Sequence, residues 1–512
     1  MSRTRTILTT VGIMLGLFMA SMEATVIATA MPTIVSELGG LAIYSWAFSA
    51  YMLASTTTVP VYGKLSDIYG RRPVFLVSMT LFLVGSILCG LSQSMGQLVA
   101  FRAIQGLGAG GIIPLVFIIV GDIFNFEQRA KMQGLFSGVW GVSSVVGPLL
   151  GGFLVDQISW HWVFFVNVVP GIIAAVVVWF AMQDRHVSPG VKPNVDYAGA
   201  ILLSATVVTL LLGLFDMEQT TGWILIGVAF VLAIGLIVVE RRAADPILPL
   251  KLFRQRLFAS ATTHGLLSGW AMFGSLSFVP LFVQAVLGTS ATEAGSTLTP
   301  MLLGWVVTSI IGSRALLYIN YRLIVLVGTA VLTLGAYLMT GASAEMTRLQ
   351  AMIYLGLMGS GMGLAISPFL IAVQSAVRKR DMGTATSTLQ FSRNIGGTLG
   401  VSVMGAVLAM RLASGLTAAG VDPNSVSLDS MIDPVASTGG SDAAAMVDST
   451  LQVALGNAIQ GIFWIAFIAA VLALAATFLA PRGRVSAHAV EDEAVEGEQP
   501  LEAAQPSVAI SH

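Results

Sequence analysis

The chain has 512 residues, of which 55% are hydrophobic and only 10% are charged. A soluble domain carries roughly 25% charged residues, so this composition excludes a water-soluble globular protein. The formal net charge of -1 does not by itself indicate a class of partner, and no nucleic-acid partner is expected.

Apolar runs long enough to cross a hydrocarbon core of about 30 Å recur along the chain. We expect these runs to be helical, because a helix satisfies its own backbone hydrogen bonds inside the bilayer. We predict fourteen membrane-spanning helices, at 7-31, 44-62, 73-92, 97-120, 133-155, 163-182, 196-215, 222-239, 257-284, 295-313, 323-341, 350-373, 387-410 and 455-480.

The basic residues support an even number of spans with both chain ends in the cytoplasm. Cytoplasmic loops collect Lys and Arg near the ends of spanning helices. With the N-terminus inside, only Arg348 and Arg411 fall on the outer side. The cytoplasmic side then receives Arg3, Arg5, Lys64, Arg71, Arg72, Arg129, Lys131, Arg185, Lys192, Arg241, Arg242, Lys251, Arg254, Arg256, Arg314, Arg322, Arg378, Lys379, Arg380, Arg482 and Arg484.

The first span carries one carboxylate, Glu23, within the apolar stretch FMASMEATVIATAMP. A charged side chain near the bilayer centre costs at least about 2.5 to 3.5 kcal/mol, so such a residue is expected to face an aqueous cavity or a partner. Burial also favours the protonated carboxyl, which would let a proton bind and leave as the surroundings change. The alternative is a structural Glu that is permanently hydrogen-bonded. Gly12, Gly16 and Ala20 share its helix face and predict close packing there.

A cleaved signal peptide is the alternative interpretation of this first segment. Two arginines precede its apolar run, and Ala28-Thr29-Ala30 has the small-x-small pattern of a cleavage site. The run is about twice as long as a usual signal sequence and contains an acid, which favours a retained helix.

A second charged residue, Arg102, lies within the fourth span. It is about five residues from the outer end of that span, or roughly 7 to 8 Å at helical rise. An arginine at this depth can extend its side chain to the outer interface. The functional alternative is that Arg102 competes with the proton for Glu23, because a nearby guanidinium favours the ionised carboxylate.

Two glycine-spaced segments that close on proline indicate an internal repeat. They are GLGAGGIIP, beginning at Gly106, and GSGMGLAISP, beginning at Gly359. Each is followed by a charged loop and a further glycine-rich span, so spans 4 and 5 resemble spans 12 and 13. Transporters built from parallel halves show such repeats. The alternative is convergence, because membrane helices favour small residues wherever they pack.

Two segments are not expected to span. Residues 412-454 contain five Asp but neither Lys nor Arg up to residue 450, and are predicted to form an outer loop. Residues 482-512 are acidic and lack aromatic residues, which predicts a disordered cytoplasmic tail.

Motifs in the first half resemble those of a known family. They are GKLSDIYGRR between spans 2 and 3, LVAFRAIQGLGAGG in span 4, GVSSVVGPLLGG in span 5, and the stretch around Glu23. On these motifs the chain is similar to the major facilitator superfamily and, within it, to the fourteen-span drug/proton antiporters. Glu23 and Ala28 stand where Asp and Asn are usual in the family, and Ile68 replaces a usual basic residue.

The resemblance implies an all-α membrane protein with the major facilitator fold. Its 14 transmembrane helices would form two six-helix bundles plus two linking helices. The implied parts are an N-terminal bundle at 1-185, linking helices 7 and 8 at 186-250, a C-terminal bundle at 251-481 that includes the outer loop 412-454, and the tail 482-512.

Several residue roles also follow from the resemblance. Glu23 and Arg102 would couple transport to protons, and Asp67 would latch onto the other half near Gly383 to hold an outward-facing state. The conformational switch would comprise Gly63, Asp67, Gly70, Arg71 and Arg72. The antiporter helix motif would comprise Gly141, Gly147, Pro148, Gly151 and Gly152. Candidates for the substrate cavity are Trp46, Tyr51, Gln105, Asn167, Gln284, Gln390 and Asn394.

The expected function is proton-coupled export of hydrophobic or amphipathic compounds, as in multidrug efflux. The alternatives are export of a lipid, a siderophore or another metabolite by the same fold, and an uncoupled facilitator. No nucleotide loop or metal-spaced cluster is found in the sequence, so we expect neither an enzyme nor a cofactor, and the proton gradient would supply the energy. The expected setting is the cell membrane, where the chain would act as a monomer on small lipophilic substrates.

Overall fold

The structure is a computed structural model, which describes residues 2-39, 44-183, 196-215, 217, 219-243, 246-248, 250-289, 291-418 and 442-482. Within these residues all regular secondary structure is helical. The helices are α1 (Arg3–Leu38), α2 (Tyr44–Tyr69), α3 (Arg71–Gly90), α4 (Met95–Ile123), α5 (Phe126–Gln157), α6 (His161–Phe165), α7 (Val168–Ala181), α8 (Tyr197–Phe215), α9 (Thr220–Arg242), α10 (Arg256–Leu281), α11 (Ala291–Thr297), α12 (Thr299–Ala315), α13 (Tyr321–Met339), α14 (Arg348–Ala376), α15 (Met382–Ala418) and α16 (Asp442–Phe478).

Local sequence signals explain several of these boundaries. Ser94 accepts a hydrogen bond from the Gln97 N–H at the start of α4. Asn125 forms a reciprocal capping box with Gln128 at the start of α5. Such caps satisfy backbone donors that have no partner inside the helix. Gly70 separates α2 from α3 with a φ of 93°, a conformation that glycine adopts without strain.

Twelve of the described helical stretches are long and apolar enough to cross a membrane. A helix runs through each of the fourteen predicted spans, but α2 and α5 are not among the twelve. Both helices are rich in small and polar residues, as the segments STTT in α2 and SGVWGVSS in α5 show. Their composition suits helices that face protein rather than lipid. The structure thus supports about twelve membrane helices, and the two further spans stay a prediction.

The helices form two groups that follow chain order. In the first group α2 and α3 pack on α4, and α1 packs on α5 and α7. In the second group α14 packs on α12 and α13, while α10 packs on α15 and α16. Helices α8 and α9 pair with each other, and α8 also packs on α2 and α15. This grouping resembles the predicted bundles and linking helices, whose boundaries stay a prediction.

The two groups meet mainly through α2 against α15 and α5 against α12. Ser137 on α5 donates a hydrogen bond to Ser309 on α12 over 2.9 Å. Gln374 on α14 donates to the Phe117 carbonyl on α4 over 3.2 Å. The α2–α15 contact includes the end of α2 that precedes Gly70, which is the end predicted to face the cytoplasm.

Parts of the predicted outer loop 412-454 are helical within the described residues, and its position outside the membrane stays a prediction. Helix α15 continues to Ala418 and α16 begins at Asp442, so helix enters the predicted loop from both sides. Sequence reasoning assigned these residues to the loop because the segment carries five Asp and neither Lys nor Arg up to residue 450. Residues 419-441, and the predicted tail from residue 483 onward, lie outside the described residues.

Candidate functional site

Glu23 lies inside the first group of helices and is fully buried. Its Oε1 pairs with the Nη1 of Arg102 at 2.5 Å. Its Oε2 accepts a hydrogen bond from Asn167 Nδ2 at 2.7 Å. An ionised carboxylate accepts hydrogen bonds at both oxygens, so this geometry fits the charged form of Glu23.

Arg102 is buried as well, with only 1% of its surface exposed. Its Nε donates to the Ala47 carbonyl at 3.1 Å, and its Nη1 also donates to Gln105 Oε1 at 2.8 Å. The guanidinium carbon lies 4.2 Å from the centre of the Tyr51 ring. Arg102 therefore points inward, and does not extend to the outer interface as the alternative interpretation of the sequence required.

A second layer of polar groups orients the pair. Gln105 Nε2 donates to Ser86 Oγ at 3.2 Å, and Asn167 Nδ2 lies 3.4 Å from the same hydroxyl. Among the described residues Asn167 Oδ1 has no hydrogen-bond partner. The sequence did not single out Ser86, because one serine in an apolar span carries no signal of its own. The result is a polar cluster drawn from three helices, α1, α3 and α4, and from the short turn before α7.

Small residues let the neighbouring helices approach α1, as the stripe around Glu23 predicted. A Cβ on Gly16 would contact Met79 and Phe75 on α3, and one on Gly12 would contact α7. Gly147 on α5 lies against Thr25, two residues beyond Glu23. The acid is therefore held between closely packed helices.

The latch predicted for Asp67 is present as a contact. Asp67 Oδ1 accepts from the Gly383 N–H at 3.0 Å. Its Oδ2 accepts from the N–H and the hydroxyl of Thr384 at 2.7 and 2.8 Å. These donors belong to the first turn of α15, where free N–H groups and the helix dipole favour a carboxylate.

Two arginines begin α3 beside this latch, and only the first of them contacts it. Arg71 Nη1 lies 2.5 Å from Asp67 Oδ1, and Arg71 Nε lies 2.7 Å from Asp122 Oδ2 on α4. Arg72 points away and stacks over the Trp179 ring at 4.8 Å. Arg71 therefore joins the latch, whereas Arg72 contacts α7.

Gly63 lets α2 approach α15 closely. A Cβ at Gly63 would overlap the Ser387 side chain and lie 2.8 Å from the Gly383 carbonyl. A Cβ at Gly383 would in turn lie 2.5 Å from Asp67. Glycine at both positions is what allows the carboxylate to reach the helix end.

The glycines of the α5 motif face different neighbours. Gly141 lies against Val306 on α12, in the other group of helices, while Gly147 lies against α1. Gly152 has open space where a Cβ would be. Pro148 and Gly151 lie within the same continuous helix. The motif thus lines two different helix contacts, and its link to antiport stays a prediction.

The candidate cavity residues do not form one set. Tyr51, Gln105 and Asn167 belong to the polar cluster around Glu23, so in this conformation they do not line an open cavity together with the others. Trp46 is 38% exposed, Gln284 lies in a π-helical turn, Phe282–Val286, and Asn394 is partly buried.

Gln390 lines a separate small cavity between α10, α14 and α15. His264 and Arg393 line the same cavity. Sequence reasoning assigned no role to His264 or Arg393. The available signal was a basic residue inside a predicted span rather than at its end.

The family model described as "Major Facilitator Superfamily" matches residues 13–401. The multidrug transporter protein MdtP of Bacillus subtilis is 38% identical over 421 residues, which cover 81% of this chain and 77% of that protein. Multidrug resistance protein 3 of the same organism is 39% identical over 404 residues, covering 77% and 78% of the two chains.

Solved structures show a similar fold. The human organic anion transporter MFSD10 superposes with a TM-score of 0.62 at 14% identity, covering 90% of this chain and 99% of that one. The proton:xylose symporter XylE gives a TM-score of 0.62 at 10% identity, with 95% and 98% covered. At such identities the likeness concerns the fold alone.

Proposed function

This chain belongs to the Major Facilitator Superfamily, which makes it a membrane transporter and not an enzyme, and we propose that it exports lipophilic or amphipathic compounds in exchange for protons. Its relatives named as a multidrug transporter and a multidrug resistance protein support multidrug efflux. The observation that carries the proton coupling is the buried ion pair of Glu23 with Arg102.

The ion pair places two opposing effects on one carboxyl. Burial favours protonated Glu23, whereas the adjacent guanidinium favours the ionised form. A rearrangement that separates the two side chains removes the second effect, and the carboxyl then takes up a proton. Restoring the contact expels the proton, so the affinity of Glu23 for protons follows the conformation of the transporter.

Asn167 can accommodate both forms of Glu23. Its Nδ2 donates to the charged carboxylate in this structure. After protonation the carboxyl becomes a donor, and a rotated Asn167 amide would present its Oδ1 as the acceptor. That oxygen has no partner among the described residues, so the rotation breaks no existing hydrogen bond at Oδ1.

The latch at Asp67 supports a defined conformational state. With the N-terminus in the cytoplasm, the contact of Asp67 with α15 closes the cytoplasmic side, and the transporter is open to the outside. Opening inward requires that Asp67 leave the N–H groups of Gly383 and Thr384. Gly63, Gly70 and Arg71 position the carboxylate, and the glycines of α5 allow that helix to move against α1 and α12.

The proposed topology has fourteen spans, of which α2 and α5 are the two less apolar ones. Spans 1–6 and 9–14 form the two bundles, and α8 and α9 are the inserted linking helices. Both chain ends lie in the cytoplasm, the chain acts as a monomer in the cell membrane, and the proton gradient replaces any cofactor as the source of energy.

Transport in proteoliposomes with an imposed pH gradient tests this function. The wild-type protein should move a panel of fluorescent cationic and neutral lipophilic compounds only when the gradient is present. Glu23→Gln should abolish the gradient-dependent part, because an amide does not exchange protons. Glu37→Gln is the matched control, since Glu37 is an exposed carboxylate on the same helix. Full transport by Glu23→Gln at several pH values would overturn the assignment.

The same experiment separates the alternatives. An uncoupled facilitator would equilibrate the compounds at a rate independent of the gradient. A lipid or metabolite exporter would show gradient-dependent transport of its cargo while ignoring the dye panel. Coupled export is favoured because the acid is paired and buried, and a merely selective acid would lie in an open passage.

A further inference from the structure

An unpaired arginine lies inside the second group of helices. Arg393 is six residues beyond the start of the predicted span 387-410, or about 9 Å at helical rise. Its Nε is buried and has no hydrogen-bond partner among the described residues. The guanidinium carbon of Arg393 lies 6.0 Å from the centre of the Trp305 ring. Arg102, by contrast, is fully engaged by Glu23, Gln105 and Ala47.

The long helices of the second group hold no acid close to Arg393. Helices α2 and α4 also contact α15, but their acids, Asp67 and Asp122, are engaged by Gly383 and Arg71. Helices α10, α12, α13, α14 and α15 contain neither Asp nor Glu anywhere along their length. Helix α16 carries its two Asp residues only near its first turns. In the described part of the chain, therefore, this bundle holds a partly buried cation, Arg393, for which it supplies no counter-charge.

A small cavity adjoins this arginine. Its volume is about 30 Å³, which is room for roughly one water-sized group. Most of the wall is apolar and comes from α10 and α14, including Phe369 and Leu370. Gln390 and Arg393 lie one turn apart on α15 and line it together.

The third polar residue of the cavity is already engaged. His264 Nε2 lies 3.0 Å from Thr329 Oγ1, and the Thr329 hydroxyl donates to the Val325 carbonyl at 2.8 Å. Since that hydroxyl proton is used, the imidazole N–H donates to Thr329. Gln390 and Arg393 are thus the polar groups of the cavity for which the described structure shows no hydrogen bond.

We propose that Arg393, assisted by Gln390, is the docking point for the anionic group of an exported amphipathic acid. This proposal rests on the proposed export function and deepens it by naming a cargo class. A guanidinium binds a carboxylate or sulfonate through two parallel hydrogen bonds. A partly buried cation without a partner is costly, and an arriving anion relieves that cost.

The proposal gives each bundle a different binding role. Glu23, the paired acid of the first bundle, binds the proton, and Arg393, the unpaired base of the second bundle, binds the cargo. The apolar walls at Phe369 and Leu370 suit the hydrocarbon part of an amphipathic molecule. The cavity holds only a small group in this conformation, so the rest of the cargo would lie outside it.

A matched pair of probes tests the proposal on the full-length protein. The probes are dansyl-aminoundecanoic acid and its primary amide, which differ only in the charged group. Binding is measured by energy transfer from tryptophan to dansyl in nanodiscs of phosphatidylcholine, which supply no anionic lipid. The variants are Arg393→Gln, Arg393→Lys and Arg411→Gln, the last being an exposed arginine farther along α15.

The wild-type protein should bind the acid about tenfold more tightly than the amide, as expected for one charge-assisted contact. Arg393→Gln should bring the two affinities to parity mainly by weakening the acid, Arg393→Lys should keep part of the preference, and Arg411→Gln should match wild type. An acid-to-amide ratio that Arg393→Gln leaves unchanged overturns the proposal, as does a ratio near one in the wild type.

Failure of this proposal is distinguishable from failure of the proposed function. The binding measurement needs no proton gradient, so it reports on Arg393 even if export is uncoupled. If the protein exports the cationic panel under a gradient but shows no preference for the acid, the cargo assignment is wrong and the export function stands. Misfolding is checked by thermal unfolding, and Arg393→Gln should retain the wild-type midpoint because it strands no partner.

Discussion

At the scale of single residues, two arginines lie within predicted spans, and they differ in their partners: Arg102 is paired with Glu23, whereas Arg393 has no ion-pair partner in the described structure. Sequence reasoning identified Glu23 and Arg102 because an acid and a base in apolar spans are rare. It could not establish their contact, since the packing of α1 against α4 depends on the whole bundle. Arg393 was missed because sequence reasoning used the segment that begins with it only as evidence for the internal repeat.

The Glu23–Arg102 pair predicts an asymmetric response to mutation. Glu23→Gln leaves the Arg102 guanidinium charged and unpaired, whereas Arg102→Gln leaves a carboxyl that can protonate and become neutral. Removing one partner of a buried pair costs about 3 to 5 kcal/mol when the remaining charge persists. We therefore expect Glu23→Gln to lower the thermal unfolding midpoint more than Arg102→Gln does.

The double variant Glu23→Gln/Arg102→Gln completes this cycle. It should be more stable than Glu23→Gln alone, because no buried charge is left without a partner. Unfolding midpoints in detergent, measured for all four proteins under identical conditions, check the order. If the double variant loses the sum of the two single losses, the side chains are not energetically coupled.

At the scale of elements, the closed end of the molecule depends on how near α2 comes to α15. The sequence predicted that Asp67 would meet the helix start near Gly383, because the loop motif resembled the family and a helix N-terminus attracts a carboxylate. It did not predict the partner of Gly63. The overlap with Ser387 requires knowing the register of two helices that lie more than three hundred residues apart in the chain.

Adding a methyl group at Gly63 should separate these elements. In Gly63→Ala the new Cβ would overlap Ser387 and press on the Gly383 carbonyl, so Asp67 could no longer reach both N–H groups. We expect the population closed at this end to fall and export to slow by about tenfold or more. Distances between spin labels on the ends of α2 and α15 report the population.

The control for that substitution is Gly227→Ala on α9, where a Cβ meets open space. It makes the same chemical change in a helix and should leave both the label distances and the transport rate near wild type. Unaltered distances in Gly63→Ala would show that the α2–α15 contact tolerates a side chain, which the structure contradicts.

At the scale of the whole molecule, hydropathy and the positions of basic residues predicted fourteen spans, of which the described structure supports about twelve. The two exceptions, α2 and α5, are the helices that connect the two groups, through α15 and α12 respectively. Helices that face another bundle need fewer apolar residues. Their mean hydropathy is therefore lower than that of lipid-facing helices, and a hydropathy threshold does not identify them as spans. The assignment of α2 and α5 as spanning came from their apolar runs and was supported by the positions of the basic residues.

The connections around α3 and α4 distinguish twelve spans from fourteen. If all fourteen helices cross, Gln93 between α3 and α4 faces outward, and Glu127 at the start of α5 faces the cytoplasm. If α2 and α5 do not cross, Gln93 faces the cytoplasm and Glu127 faces outward, while both chain ends stay on the same side as before.

Single cysteines at Gln93 and Glu127, placed in a Cys89→Ala background, should show which side each residue faces when they are labelled with a membrane-impermeant maleimide. Both residues are exposed and the native Cys89 is buried. We expect Gln93→Cys to react in intact cells and Glu127→Cys to react only after permeabilisation, and the reverse pattern would exclude the fourteen-span topology.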